Sequence, residues 1–192
     1  MIATSTLSGK NVPEPDRWLY FAPPQFEALP PEHQDQLLFL DTASTDAVLE
    51  AVNSVDILCG DGGWGNNPFS DGCYKSVEHF KMQWKEDKQK GEIDPEDGEI
   101  WYPLSLTNES ELKKWLYHRG VAFKAEVLLL KAFAAKDSPV LMTTWKMVVK
   151  FAETFFSGDN AIFFDPKLSW CLHYHNDGIL HFAKGEEVLS GK

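Results

Sequence analysis

Three short apolar runs near the end of the chain constrain its fold more than any other feature. Residues 161–164, 169–175 and 179–183 are each of strand length, and only Asp165-Pro166-Lys167 and Asn176-Asp177-Gly178 connect them in regular form. Connections this short leave no room for the crossover that parallel pairing requires, so the three runs must form an antiparallel meander. Alternation along the middle run sends Trp170, Leu172 and Tyr174 to one face, and Cys171, His173 and His175 to the other.

Upstream of the meander the apolar spacing is helical. Leu141, Trp145, Val148, Val149, Ala152, Phe155 and Phe156 recur at a period that predicts a helix over 139–156, capped by Ser138, with Pro139 in its first turn and Gly158 ending it. Tyr74, Val77, Phe80 and Trp84 share a stripe that predicts another over 74–88. Asn108 and Glu111 resemble a capping box for a helix through Trp115 and Leu116 that stops at Gly120. Pro31 suits the first turn of a helix running to about Phe39, and Ser44 or Thr45 can cap one through Leu49 and Val52. The run Val127-Leu128-Leu129-Leu130 fits a strand or the middle of a helix, and helix is the expectation. Residues 18–21 offer a short strand or anchoring cluster, residues 55–59 a strand, and the acidic stretch 91–99 a solvated loop.

These elements predict an α+β protein: one domain over residues 17–192, with an antiparallel sheet that includes the C-terminal meander packed against several helices. An irregular lead over residues 1–16 precedes it. With 43% hydrophobic residues, seven Trp and thirteen Phe, the chain can fill such a core.

Charge and apolar distribution exclude several classes. A net charge of −11 disfavours nucleic acid, since the densest basic stretch, 81–90, is interleaved with Glu86 and Asp87; the acidity suits a basic protein partner, and solubility alone accounts for it equally well. The densest apolar stretch, 121–135, is broken by Lys124, Glu126 and Lys131, so no membrane span is expected. The first ten residues have no apolar core of a secretory signal, and a cytoplasmic location is expected. Three cysteines, Cys59, Cys73 and Cys171, form no regular framework and are expected as reduced thiols.

Two motifs bear on chemistry. His173, His175 and Asp177 form His-x-His-x-Asp, which resembles the motif of the metallo-β-lactamase superfamily, where two histidines and the aspartate serve a binuclear metal centre. That motif continues with a further histidine, but Gly178 stands there, and His181 is the sole histidine beyond it. A mononuclear site from His173, His175 and His181, or one adding Cys171, matches no recognised ligand spacing. Turn chemistry at Asp177-Gly178, with the histidines as polar positions on a half-exposed sheet, accounts for the same residues, and no metal or other cofactor is assigned. The second motif, Gly60-Asp61-Gly62-Gly63-Trp64-Gly65, contains Gly-x-Gly-x-x-Gly. Asn66-Asn67-Pro68 follows where a dinucleotide site needs a helix, and Asp61 sets a negative charge where phosphate would sit. There is no Gly-x-Ser-x-Gly elbow either.

Residues 57–71, an apolar run entering that glycine-rich loop with Phe69 and Asp71 after it, resemble the core motif of the SUKH superfamily, many of whose members act as immunity proteins that neutralise bacterial toxins. The sequence departs from that pattern after the loop, where 74–88 reads as helix and the superfamily tends to continue its sheet. Thr143-Thr144-Trp145, Asp159-Asn160, Ile162-Phe163-Phe164 and Asp177-Gly178 are similar to the ends of small bacterial proteins of unknown function. The resemblance implies a non-catalytic protein-binding module, an immunity-type inhibitor that occludes a basic toxin. Its contact residues would be Asp61, Trp64 and Asp71, with His173, His175 and Asp177 as a second patch. The alternative is a small metal-dependent hydrolase built on the His173/His175/Asp177 hairpin.

Overall fold

A computed structural model of the chain describes residues 2–12, 26–53, 78–93, 96–119, 121–131, 139–156 and 160–184. In chain order its strands and α-helices are β1 (Gly9–Lys10), α1 (Pro31–Gln34), β2 (Leu38–Leu40), α2 (Thr42–Asn53), β3 (Glu78–Lys81), β4 (Trp84–Glu86), β5 (Glu92–Ile93), β6 (Ile100–Trp101) and β7 (Leu104–Leu106). They continue with α3 (Glu109–Tyr117), β8 (Glu126–Lys131), β9 (Leu141–Thr144), α4 (Trp145–Lys150), α5 (Ala152–Phe155), β10 (Ala161–Phe164), β11 (Trp170–His175) and β12 (Ile179–Lys184). Eight strands form one sheet in the order β1-β2-β9-β8-β10-β11-β12-β3, every neighbouring pair antiparallel. The meander β10-β11-β12 is present as its turn spacing required, and the fold is α+β.

Both faces of the sheet are covered. On one, Phe39, Val127, Leu129, Leu141, Phe163 and Leu172 pack with side chains of α3, α4 and α5, including Leu112, Leu116, Trp145, Val148 and Phe155. On the other, Leu40, Leu128, Leu130, Ile162, Phe164 and Cys171 pack with Val48 and Val52 of α2. Two-sided burial explains why residues 127–130 form a strand rather than the expected helix. A central strand covered on both faces is apolar at every position, so it loses the alternation that distinguishes strand from helix.

The helix expected over 139–156 is split. Leu141 and Thr143 are buried in alternation with the half-buried Met142 and Thr144, making β9, and the helix starts only at Trp145. Leu141 and Trp145 enter the same core, which mimics helical spacing across a strand-to-helix junction. Thr144 caps α4, its side chain accepting from Met147 N at 3.4 Å; Ser138 lies outside the described residues. The helix expected over 74–88 is also replaced, from residue 78 onward, by β3 and β4. Phe80 and Trp84 do share one core, as their spacing implied, but they reach it from two strands joined at Met82-Gln83.

Smaller differences concern caps and lengths. Asp41, not Ser44 or Thr45, caps α2, its carboxylate accepting from Ser44 N at 2.8 Å. Ser44 Oγ instead accepts from Ser8 N, and Thr45 Oγ1 from Val140 N, which ties α2 to the β1 and β9 segments. The helix begun by Pro31 ends at Gln34, because Leu37 to Leu40 turn into the sheet. Residues 2–12 lie on the sheet: Gly9 and Lys10 pair with β2, and Ile2 N donates to Pro166 O at 2.7 Å. The expected strands at residues 18–21 and 55–59 lie outside the described residues.

Candidate functional site

The meander and its edge strand gather four of the six histidines on one face. Antiparallel register sets His173 of β11 opposite His181 of β12, and His181 opposite His79 of β3, so the three form a row across adjacent strands. His175, two residues along β11, shares that face by alternation. His79 Nδ1 lies 2.9 Å from His181 Nδ1, a distance at which one neutral ring donates to the other. The His181 ring stacks on His173 with centroids 5.8 Å apart, and His175 meets His173 edge-on at 6.0 Å.

The turn after β11 places the one carboxylate of this group. Gly178 has φ +83°, a backbone that favours glycine, and its N–H donates to His175 O at 2.9 Å. Asp177 accepts from Ile179 N at 3.2 Å through the oxygen that pairs with His175 Nδ1 at 2.8 Å. Asn160 accepts from Asn176 N at 2.6 Å, and Met82 N donates to Gly178 O at 2.7 Å, so the turn is held from both sides.

Burial and neighbouring rings disfavour protonation at two of these histidines, His173 and His181. His173 is 3% exposed, and burial, then the neighbouring His181 and His175, pushes its pKa down to about 4 against the opposing pull of Asp177. Burial, then His79 and His175, also lowers His181. Tyr174, on the opposite face, is raised to about 12 by burial and Asp177. His173 is thus a buried neutral base rather than a half-exposed polar position, while His175 and Asp177 are partly exposed. Among the described residues no three His, Cys, Asp or Glu side chains are grouped so as to hold a metal.

A second surface stands apart from the sheet. β5 and β6 form a two-stranded ribbon in which Ile93 and Ile100 lie directly opposite each other, 71% and 54% exposed. Leu104, which follows on β7, is 53% exposed. Glu92, Glu96, Asp97 and Glu99, near the two isoleucines in sequence, are exposed, as are Lys88 and Lys90 before β5. Gly91 lets the Tyr102 ring close over it, since a Cβ there would lie 2.4 Å from that ring. Glu92–Ile93 thus forms a strand, and residues 96–99 part of its connection to β6, where the acidic composition suggests a solvated loop over 91–99. Asp97-Gly98 between two isoleucines was the available signal for a hairpin, and Gly98 does adopt φ +69°.

The proposed contact residues divide accordingly. His173, His175 and Asp177 come together on the meander, joined by His79 and His181. Asp61, Trp64 and Asp71 lie outside the described residues, as do Cys59 and Cys73; Cys171 is buried. His79 was missed because residues 74–88 read as a helix, which hides the period-two position that puts it beside His181. Comparison with known proteins finds no matching family, curated protein or solved structure. No helix among the described residues is long and apolar enough to cross a membrane.

Proposed function

We propose that the chain is a non-catalytic protein-binding module, an immunity-type inhibitor of bacterial origin that occludes a basic toxin. The observation that carries this reading is the β5–β6 ribbon, which holds two opposed isoleucines in solvent, with exposed carboxylates near them in sequence. Apolar side chains exposed together and rimmed by charge are the usual anatomy of a contact surface. The isoleucines would supply contact area, while the acids and the net charge of −11 would steer a basic partner into place.

The SUKH resemblance adds support. Residues 78–86 form strands where the sequence pattern suggested helix, and continuing strands after the glycine-rich loop is the tendency of that superfamily. Asp61, Trp64 and Asp71 in that loop would widen the contact, with His175 and Asp177 as the second patch. The working location is the cytoplasm.

Co-expression with the product of the reading frame immediately upstream tests the proposal. Relief of that product's toxicity by the wild-type chain, and loss of relief with Ile93→Ser/Ile100→Ser, is the expected result. A chain that accumulates folded yet gives no relief would overturn the immunity reading.

A further inference from the structure

Among the described residues, the exposed large apolar side chains other than Val12 fall into two groups. Ile93, Ile100 and Leu104 make up the first, and Tyr117 and Phe123 the second. The Tyr117 ring, at the end of α3, stacks on Phe123 with centroids 5.7 Å apart and planes 28° from parallel. The two groups sit in stretches of opposite charge. Every charged residue from 92 to 99 is acidic, namely Glu92, Asp94, Glu96, Asp97 and Glu99, and every one from 113 to 124 is basic, namely Lys113, Lys114, Arg119 and Lys124. In a chain of net charge −11 the basic stretch is the exception.

Helical spacing puts Lys113 and Lys114 one turn before Tyr117, on either side of it. Lys124 follows Phe123, and Lys146 N donates to Phe123 O at 2.9 Å. Two of these cations are occupied: Lys113 pairs with Glu109, and Arg119 pairs with Glu78 while its guanidinium lies over Trp115. Lys114, Lys124 and Lys146 are exposed and make no ion pair among the described residues. Glu111 and Glu126 adjoin the basic stretch in sequence; neither pairs with a lysine there, and Glu126 Oε2 accepts from Thr4 Oγ1 at 2.8 Å.

We propose that the two surfaces are complementary halves of one self-association contact, in which the β5–β6 ribbon of one copy docks on the Tyr117–Phe123 pair and its lysines in a second copy. Isoleucines packed on the aromatic pair would leave water together, and carboxylates facing Lys114, Lys124 and Lys146 would set the orientation. Alternation turns Glu92 to the ribbon face opposite Ile93, yet a single layer of strands keeps its charge within a screening length of about 8 Å. The contact is heterologous, since each chain offers one ribbon and one aromatic patch.

Sedimentation velocity on the purified full chain tests this contact. The mean mass should rise above that of the monomer across roughly a hundredfold increase in concentration into the high micromolar range, and fall back as salt is raised from about 0.05 M to about 0.5 M. Ile93→Ser/Ile100→Ser and Tyr117→Ser/Phe123→Ser should each be monomeric alone. Mixed in equal amounts they should form a 1:1 complex and nothing larger, because one intact ribbon then meets one intact patch. A wild-type chain that stays monomeric overturns the proposal, as does association retained by either variant or a mixture that forms no complex. Should Tyr117→Ser/Phe123→Ser fold poorly, Lys114→Glu/Lys124→Glu takes its place and the same results decide. The contact is independent of the toxin reading: a monomeric chain that relieves toxicity loses only this contact, and an associating chain that gives no relief loses only the immunity reading.

Discussion

At the scale of single residues, His173 shows how position decides chemistry. One imidazole on a sheet face is ordinary, but this one is buried against two others, and its pKa of about 4 makes it a neutral base at physiological pH. In the unfolded chain the same ring titrates near 6.5. Between these values the unfolded state binds more protons, so the contribution to stability is full above about pH 6.5 and is lost as pH falls towards 4. The loss is at most roughly 3 kcal/mol. His173→Leu should remove this part of the acid sensitivity: the stability gap between variant and wild type, measured by denaturant unfolding, should shift in the variant's favour as pH drops. A gap independent of pH would show that His173 is not held neutral. The placement of His173 and His175 on one face was legible in the sequence, because a strand bounded by turn residues imposes period two. The burial of His173 was not legible, since it depends on strands and segments far away in sequence.

At the scale of elements, the corner between β3 and β4 depends on one borrowed cap. The spacing of Asn108 and Glu111 marked the start of α3 correctly, yet the Asn108 side chain makes no cap and instead ties together Lys81 O and Gln83 N. Asn108→Ala should therefore destabilise the protein by roughly 1–3 kcal/mol, more than a surface substitution, because it strips partners from two backbone groups. Faster exchange at Gln83 N with α3 amides unchanged would identify the corner as the place of loss; fraying of α3 alone would indicate an ordinary cap. The element boundaries that the sequence concealed share one physical cause. Residues 127–130 are apolar on both sides, Leu141 and Trp145 straddle a junction, and Phe80 and Trp84 sit on two strands. In each case packing in the folded sheet produces a spacing that local periodicity assigns to a helix. The meander escaped this confusion because Asp165-Pro166 and Asp177-Gly178 punctuate it.

At the scale of the whole molecule, the centre of the sheet buries apolar side chains on both faces, and exposed apolar side chains stand out against it. Among the described residues, Ile93 and Ile100 of the ribbon are exposed opposite each other, with Glu92, Glu96, Asp97 and Glu99 near them in sequence, and the binding account we propose rests on them. Long-range charge should set the association rate, so raising ionic strength should slow association with a basic partner more than it speeds dissociation; the opposite pattern would place the acids outside the encounter path. The most direct test of the binding account is the affinity of the purified complex, measured by calorimetry for wild type and for Ile93→Ser/Ile100→Ser. An anchor of this kind predicts a loss of roughly thirtyfold or more with unfolding stability nearly unchanged, because both side chains already face solvent. Equal affinities for the two proteins would contradict the account and remove the ribbon from the interface.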